Sequence, residues 1–175
     1  MPFEHYPKPA IAVDIIVLYW DGKKVSVPLV RRGSEPFQGR WALPGGFLEM
    51  DETLEAAARR ELREETNLDI NSVLRGPIFD AVNRDPRARV ISVPHIALVE
   101  DQGTQLTHGS DAAAVEIHTL SSLPQPLAFD HDEIVDVMCR FTAEEVLASR
   151  LGAGLTSVER GELARALTES GKQHD

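Results

Sequence analysis

The stretch RRELREETN, Arg59 to Asn67, decides how this chain is read. It closes a segment, Asp51 to Thr66, in which Asp51 or Thr53 can serve as N-cap and good helix formers follow, and the pattern predicts an α-helix. Glu61 lies three residues before Glu64 and four before Glu65, so the three carboxylates are neighbours on that helix and repel one another. At about 100° per residue, Leu54, Ala57, Ala58, Glu61, Leu62 and Glu65 share one stripe, with Glu64 at its edge. An acidic run is ordinarily a solvated helix face. A solvated run belongs opposite Leu54 and Leu62, however, and here two of the acids lie beside them. Burying a carboxylate without a partner is costly, and a second one nearby makes ionisation harder still, so positive charge has to be supplied. Arg60, four residues before Glu64, is placed to hold and orient it but cannot neutralise all three glutamates. Oxygen-rich clusters with open coordination positions suit Mg²⁺ or Mn²⁺, and magnesium characteristically combines a few carboxylates with substrate phosphates. The crowding is explained if the glutamates hold divalent cations against a phosphorylated ligand, where a metal polarises a phosphoryl oxygen and lowers the pKa of a bound water.

Outward from this helix, the chain mixes strands and helices. AIAVDIIVLYW, Ala10 to Trp20, is apolar and β-branched, meets the turn signal DGKK and continues as VSVPLVRR, which predicts a β-hairpin. GRWALPGGF is a short extended piece whose Pro44, Gly45 and Gly46 interrupt regular structure and allow close backbone approach. VLRGPIFDAVNRDPRARVISVPHIALVE reads as two strands joined by an Asp-Pro turn between Arg84 and Arg87, and AAAVEIHTL as a further strand. DHDEIVDVMCRFTAEEVLASRL has helical spacing, with Ile134, Val137, Met138 and Phe141 on one side. SVERGELARALTES is a last amphipathic piece, either a terminal helix or a tail. The fold class expected is α/β (α+β) in one unit, without internal repeats.

Composition narrows the function classes. A chain of 175 residues with 42% hydrophobic content has enough material for one proper core. No run approaches the roughly 20 apolar residues of a membrane span. The start, MPFEHYPKPA, lacks the basic and apolar regions of a signal peptide, so a cytoplasmic location with no membrane partner is expected. The single cysteine, Cys139, excludes an internal disulfide framework and a multi-cysteine zinc site and reads as a small core residue. A formal charge of −10 argues against nucleic acid as a partner. An acidic protein that handles an anionic ligand needs cations to bridge the two.

From Gly46 the sequence GFLEMDETLEAAARRELREETNL resembles the Nudix box, G-x5-E-x7-R-E-U-x-E-E-x-G-U, where U is aliphatic. Gly46, Glu52, Arg60, Glu61, Leu62, Glu64, Glu65 and Leu68 match in register; Asn67 replaces the glycine. That position ends the helix, where a left-handed conformation is wanted and asparagine is the next best residue. The resemblance implies the Nudix fold, a mixed β-sheet sandwiched between α-helices, over residues 1–150, with residues 151–175 as a helix or tail packed on it or extending from it. It implies hydrolysis of a nucleoside diphosphate linked to another moiety, with Glu61 and Glu65 as main metal ligands, Glu64 an additional one and the Gly46 carbonyl a backbone ligand. Glu52 and Arg60 are then orienting residues, and the general base is one box glutamate or a carboxylate on a later loop.

The flanking segments RRGSEPFQGRWALPGGFLEMDE, RDPRARVISV and FDHDEI resemble the bacterial ADP-ribose pyrophosphatase branch and its regulator relatives. This implies cleavage of ADP-ribose to AMP and ribose 5-phosphate by a homodimer. Alternatives are a nucleoside triphosphate or dinucleotide pyrophosphohydrolase, and an ADP-ribose-sensing transcription regulator, although a pure sensor has no chemical need of an intact acidic box. Arg31, Arg32, Arg84, Arg87 and Arg89 are candidate phosphate partners, because a guanidinium fork matches phosphate oxygens; for each alone a surface salt bridge is the competing use. Trp41 is a candidate base-stacking residue, with packing as its alternative. His131 reads as a helix-start contact, with a substrate-side role as its alternative, and His95 as a satisfied core or sheet-edge histidine. After the GSD turn the related proteins usually carry a glutamate and then a tryptophan, where this chain has Ala114 and Ile117, with Glu116 available for the acidic role.

Overall fold

The computed structural model describes residues 6–100 and 112–170; the expected GSD turn at 109–111 lies outside them. Its backbone is the long first strand. Strand β1 (Ala10–Trp20) pairs through its first half with β4 (Gly45–Phe47, antiparallel) and β6 (Val90–Ser92, parallel). From Ile15 it pairs with β7 (His95–Glu100, parallel), and at Tyr19 and Trp20 also with β2 (Val25–Arg32, antiparallel). The hairpin expected at DGKK is present, with Trp20 opposite Val25. Strand β2 also carries β3 (Trp41–Ala42) and β8 (Ala112–Thr119), both antiparallel, and β5 (Leu74–Arg75) pairs antiparallel with β7.

Period-two alternation explains why β1 is apolar almost throughout. Val13, Ile15, Val17 and Tyr19 pack with Ala57, Ala58 and Leu62 of helix α1 (Leu54–Thr66). Ile16, Leu18 and Trp20 face the other way, into a cluster with Ile134, Val135 and Met138 of α2 (His131–Leu147) and Leu163 and Leu167 of α3 (Ser157–Ser170). The sheet is thus covered by one helix on one face and two on the other, the sandwich architecture that the resemblance implied.

Helix α1 begins and ends as its sequence dictates. Thr53, rather than Asp51, is the N-cap and accepts from the Ala56 N–H at 3.2 Å. Asn67 closes the helix in the left-handed region at φ 57°, ψ 19°, donating its N–H to the Arg63 carbonyl. The second helical face is wider than expected: Val135, Cys139 and Val146 are buried with Ile134 and Met138, whereas Val137 and Phe141 are only partly so. Burial pushes the Cys139 thiol up to about 12, which makes it inert packing.

The segment 73–100 departs from the expected two strands and tight turn. Phe79 and Ser92 form a single antiparallel bridge, and residues 80–89 make a long loop. Ion pairs account for this: Arg84 grips Asp130 at 2.6 and 2.8 Å, and Arg87 grips Asp85 at 2.7 and 3.0 Å, so side chains rather than a strand ladder pin the loop.

Helix α3 is integral to this core, since the Leu167 and Leu163 side chains are fully enclosed. Leu167→Ala is expected to destabilise the protein by about 2–5 kcal/mol, read as a lowered urea midpoint at unchanged slope.

Candidate active site

The carboxylates of α1 separate as the wheel predicted. Glu61 and Glu65 lie on the side of Ala58 and Leu62, and the Glu61 side chain retains 14% exposure against 54% for Glu64. Arg60 is held chiefly by Glu52, through Nη2 at 2.6 Å and Nε at 3.1 Å, and only then by Glu61 at 2.8 Å and Glu64 at 3.3 Å. The expected contact between Arg60 and Glu64 is present, and Glu52 adds the stronger, bidentate grip on the same guanidinium. Arg60 also donates to the Phe47 carbonyl, and Glu52 accepts from the Glu49 N–H, so the fork ties the loop before α1 to the helix.

Glu65 has no cationic partner at bonding distance among the described residues and accepts the Gly45 N–H at 3.0 Å. Burial, then the charges of Glu61 and Asp14, push its pKa up to about 8. Glu61 is also raised, mainly by burial, against the lowering pull of Arg60. Gly46 is required by contact: a Cβ there would collide with the Glu61 carboxylate. Strand β4 therefore lies directly over the carboxylate it helps to enclose.

Beside these groups opens a cavity of about 230 Å³. Glu65, Gly45 and Gly46 form one side; Arg31, Arg32, Arg84 and Arg87 supply cations; Asp14, Phe129 and His131 also line it. Of the five candidate arginines, Arg89 does not line the cavity; it donates to the Ala81 and Val90 carbonyls and braces the 80–89 loop. Arg31 lines the wall and donates through Nε to the Gly39 carbonyl. Trp41 sits edge-on to His118, 4.9 Å between centroids, and packs against the main core instead of lining the cavity. Ala114, Glu116 and Ile117 lie on β8 and are not among the lining residues either; Glu116 faces His118 at 3.7 Å. His95 is a core histidine, buried with Nδ1 against the Val93 carbonyl.

Sequence reasoning missed Asp14 and Phe129. Asp14 is buried on β1, accepts from the Ser92 hydroxyl, and faces His131 Nε2 at 3.4 Å and Arg84 at 3.9 Å. Its signal was available: a lone acid inside an apolar strand needs partners. His131 opens α2 and also meets the cavity; its Nδ1 accepts the Leu43 N–H at 2.9 Å, which places the ring proton on Nε2, towards Asp14. Burial lowers its pKa, in keeping with a neutral ring.

Among the described residues no group of three His, Cys, Asp or Glu side chains stands ready-made to hold a metal ion. The donors nevertheless fit one of the magnesium type, which takes one or two protein carboxylates and completes its sphere with water and substrate phosphate. Glu65 is an under-neutralised carboxylate at the cavity edge, and Glu61 lies within its field.

Comparison with known proteins places this geometry. The NUDIX domain family matches residues 8–138. An ADP-ribose pyrophosphatase of Methanocaldococcus jannaschii is 41% identical over 132 residues, covering 74% of this chain and 73% of the relative. An ADPR responsive transcriptional repressor, NtrR, of Acinetobacter baylyi is 32% identical over 134 residues, covering 74% of this chain and 53% of that one. Among solved structures, a MutT/nudix family protein from Enterococcus faecalis superposes with a TM-score of 0.79 at 27% identity, over 98% of this chain and 78% of that chain. The chain belongs to the Nudix family. Within it, the protein is a Nudix pyrophosphohydrolase.

Two outcomes follow from the geometry. Gly46→Ala is expected to lower turnover by about 10- to 100-fold with secondary structure retained by circular dichroism, because the new methyl displaces Glu61. In metal-free protein Glu65 keeps its proton up to about pH 8, whereas in the unfolded chain it loses it near 4.5. The folded state then binds the extra proton between those values, so stability falls as pH rises through the window. Melting curves in EDTA should show that slope in the wild type and a flatter one in Glu65→Gln, which should melt above the wild type at pH 9.

Proposed function

We propose that the protein cleaves the pyrophosphate bond of ADP-ribose, giving AMP and ribose 5-phosphate, with Mg²⁺ or Mn²⁺ held by Glu61 and Glu65 and assisted by Glu64 and the Gly46 carbonyl. The observation that carries this reading is the meeting, at one cavity, of the desolvated Glu65, crowded by Glu61 beside it, with a group of guanidinium side chains. The carboxylates alone repel a dianionic ligand, and the arginines alone leave the carboxylates without positive charge. Together they suit a diphosphate bridged to the carboxylates by divalent cations. The relatives that bear ADP-ribose in their names support the choice of substrate.

In the reaction the oxygen of water bonds to one phosphorus as the bridging P–O bond breaks, and two phosphomonoesters leave. A bound divalent ion supplies charge neutralisation and a more acidic water. The remaining work belongs to the chain. Arg60, fixed by Glu52, holds Glu61 in place. The Gly45 N–H aims Glu65. Asp14, His131 and Arg84 form a buried, mutually paired floor that keeps the cavity's shape. Such positioning matters because phosphoryl transfer is catalysed chiefly by alignment and charge stabilisation.

An ADP-ribose-responsive repressor among the relatives makes ligand sensing the second reading. The two readings share a ligand and differ in turnover. Phosphate release coupled to a phosphatase, screened over ADP-ribose, other nucleotide sugars, dinucleotides and nucleoside triphosphates with each metal, is expected to show metal-dependent, multiple turnover of ADP-ribose. Glu65→Gln should cut kcat by orders of magnitude. Binding of ADP-ribose without turnover, together with ADP-ribose-dependent release of DNA in a gel shift, would replace hydrolysis by sensing.

A further inference from the structure

The start of α2 reaches back to the turn that lies over the carboxylates. His131, the first residue of α2, borders the cavity although its side chain is almost fully enclosed. Its Nδ1 accepts the Leu43 N–H at 2.9 Å, and its Nε2 faces Asp14 Oδ1 at 3.4 Å. With Nδ1 as acceptor the ring proton sits on Nε2, so neither nitrogen keeps a lone pair for a water in the cavity. A histidine at such a place is ordinarily a candidate base. This one is committed on both edges, and its contribution has to come through the groups it holds.

Those groups belong to a stiff turn. Leu43 and Pro44 join β3 to β4, and the turn spans two helices: Leu43 gives its N–H to His131 of α2, and Gly45 gives its N–H to Glu65 Oε2 of α1 at 3.0 Å. Between them Pro44 has a fixed φ, and its carbonyl accepts the Ile15 N–H at 2.8 Å. Gly45 is pressed onto β1, where a Cβ would collide with the Val13 carbonyl. Leu43 and Gly45 therefore shift as one piece, and a displacement at the His131 end is delivered to Glu65. The imidazole end is itself immobilised. Asp14 also accepts from the Ser92 hydroxyl, and Asp130, next to His131, is gripped by Arg84 through two bonds. Without the imidazole, the buried Leu43 N–H would lose the acceptor that it has among the described residues, a loss the turn can relieve only by moving.

Resting on the reading of Glu65 as a metal ligand above, we propose that His131 is a positioning residue of the reaction: by accepting the Leu43 N–H it fixes the turn from Leu43 to Gly46 and, through the Gly45 N–H, the aim of the Glu65 carboxylate. It acts as a neutral acceptor and moves no proton.

The test compares two substitutions that each keep one half of the ring. His131→Asn places an amide oxygen where Nδ1 stands, whereas His131→Gln reaches the place of Nε2 and leaves the Leu43 N–H without an acceptor. Amide hydrogen exchange on the full chain, without metal or substrate, reads the Leu43 and Gly45 N–H groups directly, with Val17 in the middle of β1 as the report of the core. Wild type and His131→Asn are expected to protect both amides; in His131→Gln both should exchange about 10-fold faster relative to Val17, as for the loss of one buried hydrogen bond. In steady state with metal and ADP-ribose, His131→Gln should lower kcat about 10- to 100-fold with KM little changed, the range for loss of a group that orients a metal ligand. His131→Asn should recover most of that rate. Unchanged Gly45 protection in His131→Gln, or an asparagine variant no better than the glutamine one, would overturn the proposal. Should the glutamine variant not fold, the asparagine variant decides alone: retained Gly45 protection supports the proposal, and its loss in folded protein overturns it. Exchange is read without turnover, so a failure of ADP-ribose as substrate leaves that result standing, and a negative exchange result leaves the hydrolase reading standing.

Discussion

Everything at this site depends on keeping two carboxylates charged where burial and mutual repulsion both oppose it. Glu61 and Glu65 sit one helical turn apart on the side of α1 that packs towards the sheet. Arg60 relieves Glu61 only, and in doing so is shared with Glu52 and Glu64. Glu65 is left with a backbone N–H for company and holds its proton to about pH 8. A lone backbone donor cannot offset that desolvation, so the ionised pair becomes favourable only when further positive charge arrives. A cation that binds there has to displace the proton of Glu65.

The sheet makes that deficit possible. Strand β1 is sealed on both faces from Val13 onward, and it pairs with β6 as far as Ala12 and β4 as far as Asp14, then with β7 from Ile15 and β2 from Tyr19. Where a strand changes partners its neighbours part, and open α/β sheets place their clefts at comparable switch points. Gly45 and Gly46 lie on one side of the parting and Arg31 and Arg32 on the other, with Asp14 at its base. The cavity is therefore a consequence of strand order, and the arginines of β2 face the glutamates of α1 because β1 holds the two apart.

How much of this could be read from the sequence depends on how local each cause is. The helix from Thr53 to Asn67, its cap residues and the division of Glu61 and Glu65 from Glu64 all follow from periodicity and short-range chemistry, and they were legible. The hairpin at DGKK was legible for the same reason. The 80–89 loop was not, because a partner 46 residues away, Asp130, decides that Arg84 leaves the ladder. Asp14 was overlooked inside an apolar run, although an acid there announces a buried network. The five arginines looked alike in sequence, since a count of cations carries no information about their counter-ions. Trp41 shows the same limit: whether an aromatic stacks on a ligand or on His118 is settled by the β3 and β8 neighbours that the strand pairing brings together.

The electrostatic pattern of the whole chain then acquires a meaning. A net charge of −10 repels anions at long range, so approach of a diphosphate gains little from steering. Recognition has to come at short range, from groups that water screens poorly. At the cavity both signs of charge meet, with Glu65 on α1 and the arginines Arg32 and Arg87 among its lining and Glu61 one helical turn from Glu65. A ligand that brought only negative charge would satisfy the arginines and worsen the glutamates; one that brought only cations would do the reverse. On the proposed reading, a diphosphate accompanied by divalent ions answers both sets of charges at once. On the proposed reading, the metal-bound form of the substrate is favoured because it answers the carboxylates and the arginines together, before any single contact to base or sugar is considered.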